Sequence, residues 1–317
     1  MSDSKVAIVG AGLIGRAWAI SFARGGCSVA LFDPVDGAAE ATLEAIPPLL
    51  DELARNGLLR NQEPGAVAEH LSVAGTLEQA VEGAVHVQEN APEDLTIKRE
   101  VTAAIAAAAG PDCVIASSSS AFMPSLFTEE VEGRHRCLVG HPINPPYLVP
   151  AVEVCPAPWT APETAARAAA LYEAIGQAPI RMARELDGFI MNRMQAALLQ
   201  EAFRLVAEGY ASAEDVDRGI GQGLGLRWAF MGPFETIDLN APGGIRDYVA
   251  RYEPLCRRLV EGQGPPCDWN TALDEGIEAE RTAALDRDKL AERQVWRDRR
   301  LMALATHKTK ADDEIGS

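Results

Sequence analysis

The sequence predicts an α/β protein: an N-terminal Rossmann-type, doubly wound sheet over residues 1–186, followed by an all-α domain over residues 187–317. Three observations predict it. A glycine-rich turn follows the first apolar run and opens a helical pattern. Short apolar runs then alternate with helical stretches as far as Met182. Beyond Asp187 no segment reads as a strand. Alternation of this kind builds a parallel sheet with helices on both faces. A chain of 317 residues is also too long for one ordinary core.

Lys5 to Val9 reads as the first strand, and Gly10-Ala11-Gly12-Leu13-Ile14-Gly15 follows it. The next helix carries Ala17, Ile20, Phe22 and Ala23 and ends at Gly25-Gly26. A second strand, Ser28 to Phe32, stops at Asp33, 23 residues after Gly10. Strand, tight turn, helix, strand and acid in that order form the dinucleotide fingerprint. The glycines let the backbone approach a pyrophosphate, and the helix N-terminus offers N–H groups and a positive dipole. Asp33 would accept from the ribose hydroxyls and repel a 2′-phosphate. Pro34-Val35-Asp36-Gly37 holds no base to neutralise one. The cofactor is therefore expected to be NAD, not NADP.

Asp36 to Leu59 reads as a long helix interrupted at Pro47-Pro48, with an acidic face of Glu40, Glu44, Asp51 and Glu52. Leu71 to Val73 and Val85 to Gln88 read as strands on either side of a helical Leu77 to Val81. Glu93 to Ala109 is the next helix, with Pro92-Glu93-Asp94 as its first turn. Lys98 lies five residues after Glu93, which by itself reads as a helix-surface pair. The strand Cys113 to Ala116 runs into Ser117-Ser118-Ser119-Ser120, where a turn and a ligand-facing strand end fit equally. No G-x-S-x-G surrounds these serines, which argues against a nucleophile.

The stretch with the most chemistry follows the short strand Cys137 to Val139. His141 and Asn144 sit at its carboxyl end, and Glu153 comes 12 residues after the histidine, beyond Pro145, Pro146 and Pro150. A carboxylate that orients an imidazole makes a general base. A strand-end histidine satisfied by backbone, with Glu153 at the surface, fits the spacing as well. A helix to Gly176 and a strand from Pro179 to Met182 close the first domain.

In the second half, Asp187-Gly188 opens a helix from Phe189 to Glu208, apolar enough to be buried, with Asn192-Arg193 in its first two turns. Ser212-Ala213-Glu214-Asp215 opens another helix, and Gly221 to Gly225 reads as a glycine-rich turn. Glu235 to Asn240 and Ala272 to Ala305 continue the helical pattern, and the tail after Thr309 is expected to fray. So many apolar residues in about 130 positions cannot all be buried in one chain, which predicts a homodimer joined after Asp187.

A formal charge of −17 repels nucleic acid and anionic membranes. No run of 18 apolar residues occurs, and the N-terminus leads straight into a strand, so no signal peptide or membrane span is expected. The six cysteines are scattered without metal or redox spacing, which reads as reduced thiols in the cytoplasm and no metal centre.

Taken together, Gly10-x-Gly12-x-x-Gly15 with Asp33, Glu93-x-x-x-x-Lys98, Ser120, His141-Pro-x-Asn144-Pro, Glu153 and Gly188-Phe189-x-x-Asn192-Arg193 resemble the 3-hydroxyacyl-CoA dehydrogenase superfamily. The likeness spans nearly the whole chain. Within it, Ser118 to Ser125, His141 to Tyr147 and the stretch from Gly225 to Thr236 look most like the L-gulonate 3-dehydrogenase (lambda-crystallin) branch, with carnitine dehydrogenases second. The resemblance implies NAD-dependent oxidation of the C3 hydroxyl of a small hydroxy acid. It implies His141 as general base oriented by Glu153, and Ser120 and Asn192 as partners of the reacting oxygen. It also implies Leu13 and Ile14 on the pyrophosphate turn, Asp33 on the adenosine ribose, Glu93 and Lys98 toward the nicotinamide, and Asn144 between cofactor and substrate. Acyl-CoA members resemble one another in having lysines on the helix after the second strand. Here no lysine occurs between Lys5 and Lys98, which disfavours CoA. Two rival expectations are an acyl-CoA dehydrogenase and an NAD-binding structural protein of the crystallin kind.

Overall fold

The computed structural model of the chain describes residues 4–316. These residues form two compact units. The first runs to Met191 and includes Asp298–His307; the second holds Asn192–Arg297 and the residues from Lys308 onward.

The first unit is built from β1 (Lys5–Val9), α1 (Leu13–Arg24), β2 (Ser28–Phe32), α2 (Ala38–Ala45), α3 (Pro47–Arg55), α4 (Pro64–Ala68), β3 (Leu71–Val73), α5 (Leu77–Val81), β4 (His86–Glu89), α6 (Leu95–Ala108), β5 (Val114–Ser117), α7 (Ser125–Thr128), β6 (Cys137–Pro142), β7 (Ala151–Pro156), α8 (Pro162–Ala174) and β8 (Ala178–Arg181). Its strands form one eight-stranded sheet in the order β3-β2-β1-β4-β5-β6-β7-β8. β1 to β6 are parallel to one another, β7 is antiparallel to β6, and β8 is parallel to β7. The chain reverses its direction of travel across the sheet between β1 and β4. That switch point is where an open α/β sheet leaves a crevice at the strand ends.

Both faces of the sheet are covered, so its strands are continuous apolar runs. On one face Ile8, Leu31, Ala116 and Leu138 pack with Trp18, Phe22 and Tyr172. On the other, Ala7, Val87 and Ile115 pack with Val81, Ile105 and Ala106. Met302, in the Asp298–His307 stretch, joins the first cluster and is almost fully buried. Arg299 there pairs with Glu52 at 2.6 Å, and Thr306 donates to the Asn56 carbonyl at 2.8 Å.

Several elements differ from the sequence expectation. The helix expected over residues 36–59 is two helices, because Pro47 has no N–H to continue α2 and instead starts α3. Asp94 caps α6, accepting from Thr96 N at 2.9 Å and Ile97 N at 3.0 Å, so Pro92 and Glu93 lie outside that helix. Glu153 lies on β7, a strand that the sequence did not suggest.

In the second unit the helices are α9 (Met191–Ala207), α10 (Ala213–Gly219), α11 (Gly225–Trp228), α12 (Pro233–Asp238), α13 (Gly244–Glu261), α14 (Trp269–Ala272), α15 (Glu278–Ala284) and α16 (Leu290–Ile315), the last shared with the first unit. The expected glycine turn at 221–225 is helical: Ile220–Leu224 forms a wide π turn, and a Cβ on Gly225 would lie 2.8 Å from the Ile220 carbonyl. α13 continues through Pro254, a residue that in sequence signals a helix stop. The expected helix over 272–305 is broken at Gly276, whose φ is 150°, and again at Leu285. The tail expected to fray continues α16 to Ile315. α9, expected to be buried, has no buried residue, and neither has α13. Their apolar side chains, among them Met194, Leu198 and Leu259, lie on faces that the single chain leaves open. No helix of the described residues is long and apolar enough to cross a membrane.

Candidate active site

At the switch point Gly10 ends β1 with φ at 91°, and a Cβ there would lie 2.8 Å from the Asn90 backbone. A Cβ on Gly15 would lie 2.0 Å from the Gly10 carbonyl, so the turn closes only with glycine at both positions. Gly12, which begins α1, has nothing within 4 Å of its Cβ position and no side chain capping the helix. Leu13 is exposed and Ile14 half-buried, with the unpaired N–H groups of the first helical turn beside them. This is a cradle open to a pyrophosphate. Asp33 accepts from Ala11 N at 2.7 Å through Oδ2 and from Val35 N at 2.9 Å through Oδ1. Each bond uses one lone pair of an oxygen that has two, so acceptors remain for a ribose diol. The residues fit the dinucleotide that the fingerprint implies.

Across the crevice, antiparallel pairing sets His141 directly opposite Glu153. The 12-residue interval is the length of the β6–β7 return. His141 Nδ1 donates to Glu153 Oε2 at 2.8 Å, and both side chains are buried. Glu153 Oε1 accepts from Ile190 N at 2.6 Å and Met191 N at 2.9 Å. These amides lead into α9 and are turned toward the carboxylate by a left-handed backbone at Gly188 (φ 73°) and Phe189 (φ 49°). The Phe189 ring lies 5.4 Å from the imidazole, centroid to centroid. With its proton on Nδ1, the imidazole keeps its lone pair on Nε2, the arrangement of a base.

Glu93 stands between the serine run and α6. Its Oε1 accepts from Ser119 Oγ at 2.5 Å, Ser120 N at 3.1 Å and Ala121 N at 2.9 Å. Ser120 is exposed at this turn, whereas Ser119 is buried. Lys98 is 1% exposed, and its ammonium is fully engaged: 2.9 and 3.1 Å to the Glu89 carboxylate and 2.9 Å to the Ala91 carbonyl. Glu93 lies farther from it, at 3.9 Å. Ser117 Oγ also donates to Glu89, at 2.5 Å. Asn144 is exposed just beyond β6. Asn192 is the second residue of α9 and belongs to the second unit.

The first unit thus brings together the glycine turn, Asp33, Glu93, Lys98, Ser120, His141, Asn144 and Glu153. The sequence gives no sign of Glu89, and it gives Ser117, Ser119 and Phe189 no separate role although the serine run and the Gly188-Phe189 motif contain them. The serine run was the signal for Ser117 and Ser119. Glu89 had none, because it reads as an ordinary strand residue. Burial raises the thiol of Cys113 to about 11 and those of Cys137 and Cys155 to about 12, which leaves them unreactive.

Residues 5–186 match the family described as 3-hydroxyacyl-CoA dehydrogenase, NAD binding domain, and residues 188–273 match 3-hydroxyacyl-CoA dehydrogenase, C-terminal domain. A lambda-crystallin homolog from Bos taurus is 42% identical over 304 residues, 95% of this chain and 94% of that protein. L-carnitine dehydrogenase from Pseudomonas aeruginosa is 37% identical over 310 residues, 96% of this chain and 94% of that one. The solved structure of 5-formyl-3-hydroxy-2-methylpyridine 4-carboxylic acid 5-dehydrogenase, an NAD-dependent dismutase, is similar with a TM-score of 0.79 at 26% identity, covering 95% of this chain and 96% of that one. The chain belongs to the 3-hydroxyacyl-CoA dehydrogenase family and is an NAD-dependent oxidoreductase acting on a CH–OH group.

Proposed function

We propose that this enzyme oxidises the C3 hydroxyl of a small hydroxy acid, L-gulonate being the substrate implied by its resemblance to the L-gulonate 3-dehydrogenase branch. The observation that carries the reading is the buried His141–Glu153 pair at 2.8 Å. His141 Nε2 takes the hydroxyl proton. Glu153, held by Ile190 N and Met191 N, stabilises the imidazolium that results, and a charge-assisted bond away from water suits that task. NAD, when bound, accepts the hydride from the carbinol carbon. Gly10, Gly12, Leu13, Ile14 and Gly15 hold its pyrophosphate and Asp33 its adenosine ribose. Glu93 serves the nicotinamide end, and Lys98 orders the turn that carries Glu93. Ser120 and Asn192 bond the reacting oxygen, and Asn144 lies between cofactor and substrate. Residues 1–186 bind NAD, and residues 187–317 serve substrate and subunit contacts in a cytoplasmic homodimer.

The exposed acids Glu40, Glu44 and Asp51 of α2 and α3 support a substrate without CoA, since they would repel a CoA nucleotide. L-carnitine is a second reading, favoured by the similarity to L-carnitine dehydrogenase. The test is a screen of L-gulonate, L-carnitine and 3-hydroxybutyrate with NAD, and of acetoacetyl-CoA with NADH, followed by nicotinamide absorbance. Turnover of L-gulonate above the others is expected. Preference for acetoacetyl-CoA would replace this reading with the acyl-CoA one, and absence of all turnover would favour a structural, crystallin-like role.

A further inference from the structure

Gln88 of β4 is completely buried, with its side chain against the apolar layer that α1 and α8 bring to the sheet. Every hydrogen bond its amide can make is made. Nε2 donates to Ser118 Oγ at 2.8 Å and to the Gly140 carbonyl at 3.3 Å. Oε1 accepts from Tyr172 Oη at 2.6 Å and from His86 Nε2 at 3.1 Å. A backbone carbonyl can only accept, so the amide has one orientation, and His86 carries its proton on Nε2.

The bonds continue in two directions. Toward the cofactor turn, Ser118 Oγ accepts from Trp18 Nε1 of α1 at 3.1 Å and donates to Asn90 Oδ1 at 2.8 Å. Asn90 Nδ2 donates to the Gln88 carbonyl at 2.9 Å and the Val9 carbonyl at 3.4 Å, and the Asn90 backbone is the surface against which Gly10 turns. Toward the base, the pairing of β5 with β6 ends at Ser117 and Val139. Gly140 lies one residue past that end, and its carbonyl accepts from the Gln88 amide. A Cβ on Gly140 would lie 2.1 Å from Tyr172 Oη, so strand and tyrosine are in close contact there. The next residue is His141.

We propose that Gln88 is a positioning residue of the dehydrogenase reaction: it holds the glycine turn through Ser118 and Asn90, holds the strand end bearing His141 through the Gly140 carbonyl, and thereby sets the spacing between cofactor and base. The role rests on the reading of His141 as the base. An apolar residue at this position would fill the space but leave Tyr172 Oη, His86 Nε2, Ser118 Oγ and the Gly140 carbonyl without the amide they meet. The amide instead joins Ser118, the residue after β5, to Gly140 of β6 and Tyr172 of α8.

The test compares Gln88→Met, which keeps the volume and removes all four bonds, with Tyr172→Phe, which removes one and keeps both Nε2 donors. NADH affinity is read by fluorescence titration, and kcat with the acid turned over by the wild type, protonated or deuterated at the carbinol carbon. The His141 ring signal, assigned by its loss in His141→Gln, is read by NMR. In Gln88→Met, NADH affinity should fall by less than kcat, which should drop about ten- to a hundredfold, while the isotope effect on kcat rises and the His141 signal moves. Tyr172→Phe should fall between it and wild type. Wild-type kcat with an unmoved His141 signal would overturn the proposal. So would a Gln88→Met protein that loses thermal stability and NADH affinity together while a folded Tyr172→Phe keeps wild-type kinetics. If the wild type turns over no acid, the proposed function fails, and the His141 signal in the NADH complex alone decides the role of Gln88.

Discussion

His141 and Glu153 differ in what their replacement should do, and the reason lies in hydrogen-bond direction. His141→Gln removes the acceptor of the hydroxyl proton. It should lower kcat/KM by about 10²–10⁴-fold while NADH affinity by fluorescence stays near wild type, since the glycine turn and Asp33 are untouched. Glu153→Gln sets an amide against His141 Nδ1. An NH₂ group there would favour the tautomer with the proton on Nε2, so the base should be lost with little change in stability, the amide oxygen still accepting from Ile190 and Met191. Wild-type turnover in either variant would remove the pair from the mechanism. Asp33→Ser should reduce the preference for NAD over NADP, read as the ratio of kcat/KM values, because the ribose acceptor and the charge that repels a 2′-phosphate leave together. An unchanged ratio would show that Asp33 serves only Ala11 N and Val35 N.

Between elements, the β4–α6 connection depends on a buried ion pair that helical spacing does not reveal. Lys98→Met would leave Glu89 buried without its cation, and breaking such a pair costs about 3–5 kcal/mol. The urea midpoint should therefore drop sharply. Loss of NAD affinity at unchanged stability would instead make Lys98 a direct cofactor contact. His86, on the same strand, ties stability to pH. Burial lowers its pKa from 6.5 to about 4, so the folded protein keeps it neutral. As pH falls through that window the unfolded chain takes up a proton that the folded one refuses, which removes up to about 3 kcal/mol of stability. A His86→Phe variant starts lower, because Gln88 loses a donor, but its urea midpoint should fall less between about pH 7 and pH 5. Equal acid sensitivity in the two proteins would exclude His86 as the source.

For the whole molecule, the open faces of α9 and α13 require an explanation, because exposed apolar side chains at helical spacing mark contact surfaces. A homodimer by light scattering at micromolar concentration is the expected state. Replacement of Leu259 and Val260, both on α13, by glutamate should shift it toward monomer, and a monomeric wild type would leave those faces without their proposed partner.

The sequence alone determined the parts that depend on short-range rules. The glycine turn, the strand–helix alternation and Asp33 after β2 were legible because backbone freedom, apolar period and spacing are local properties. The doubly wound fold followed from them. Tertiary structure decided which polar groups meet. Lys98 pairs with Glu89 across a strand–helix connection and stands farther from Glu93, the neighbour that spacing suggested. Ser119, and not only Ser120, bonds Glu93, because the turn buries one hydroxyl and exposes the next. Glu153 faces His141 because β7 returns antiparallel in one register, and its second oxygen is met by amides 37 and 38 residues away. Period and propensity are read along the chain, whereas the partner of a buried charge is chosen by strand register and by the distances that packing leaves, and no window of sequence contains those.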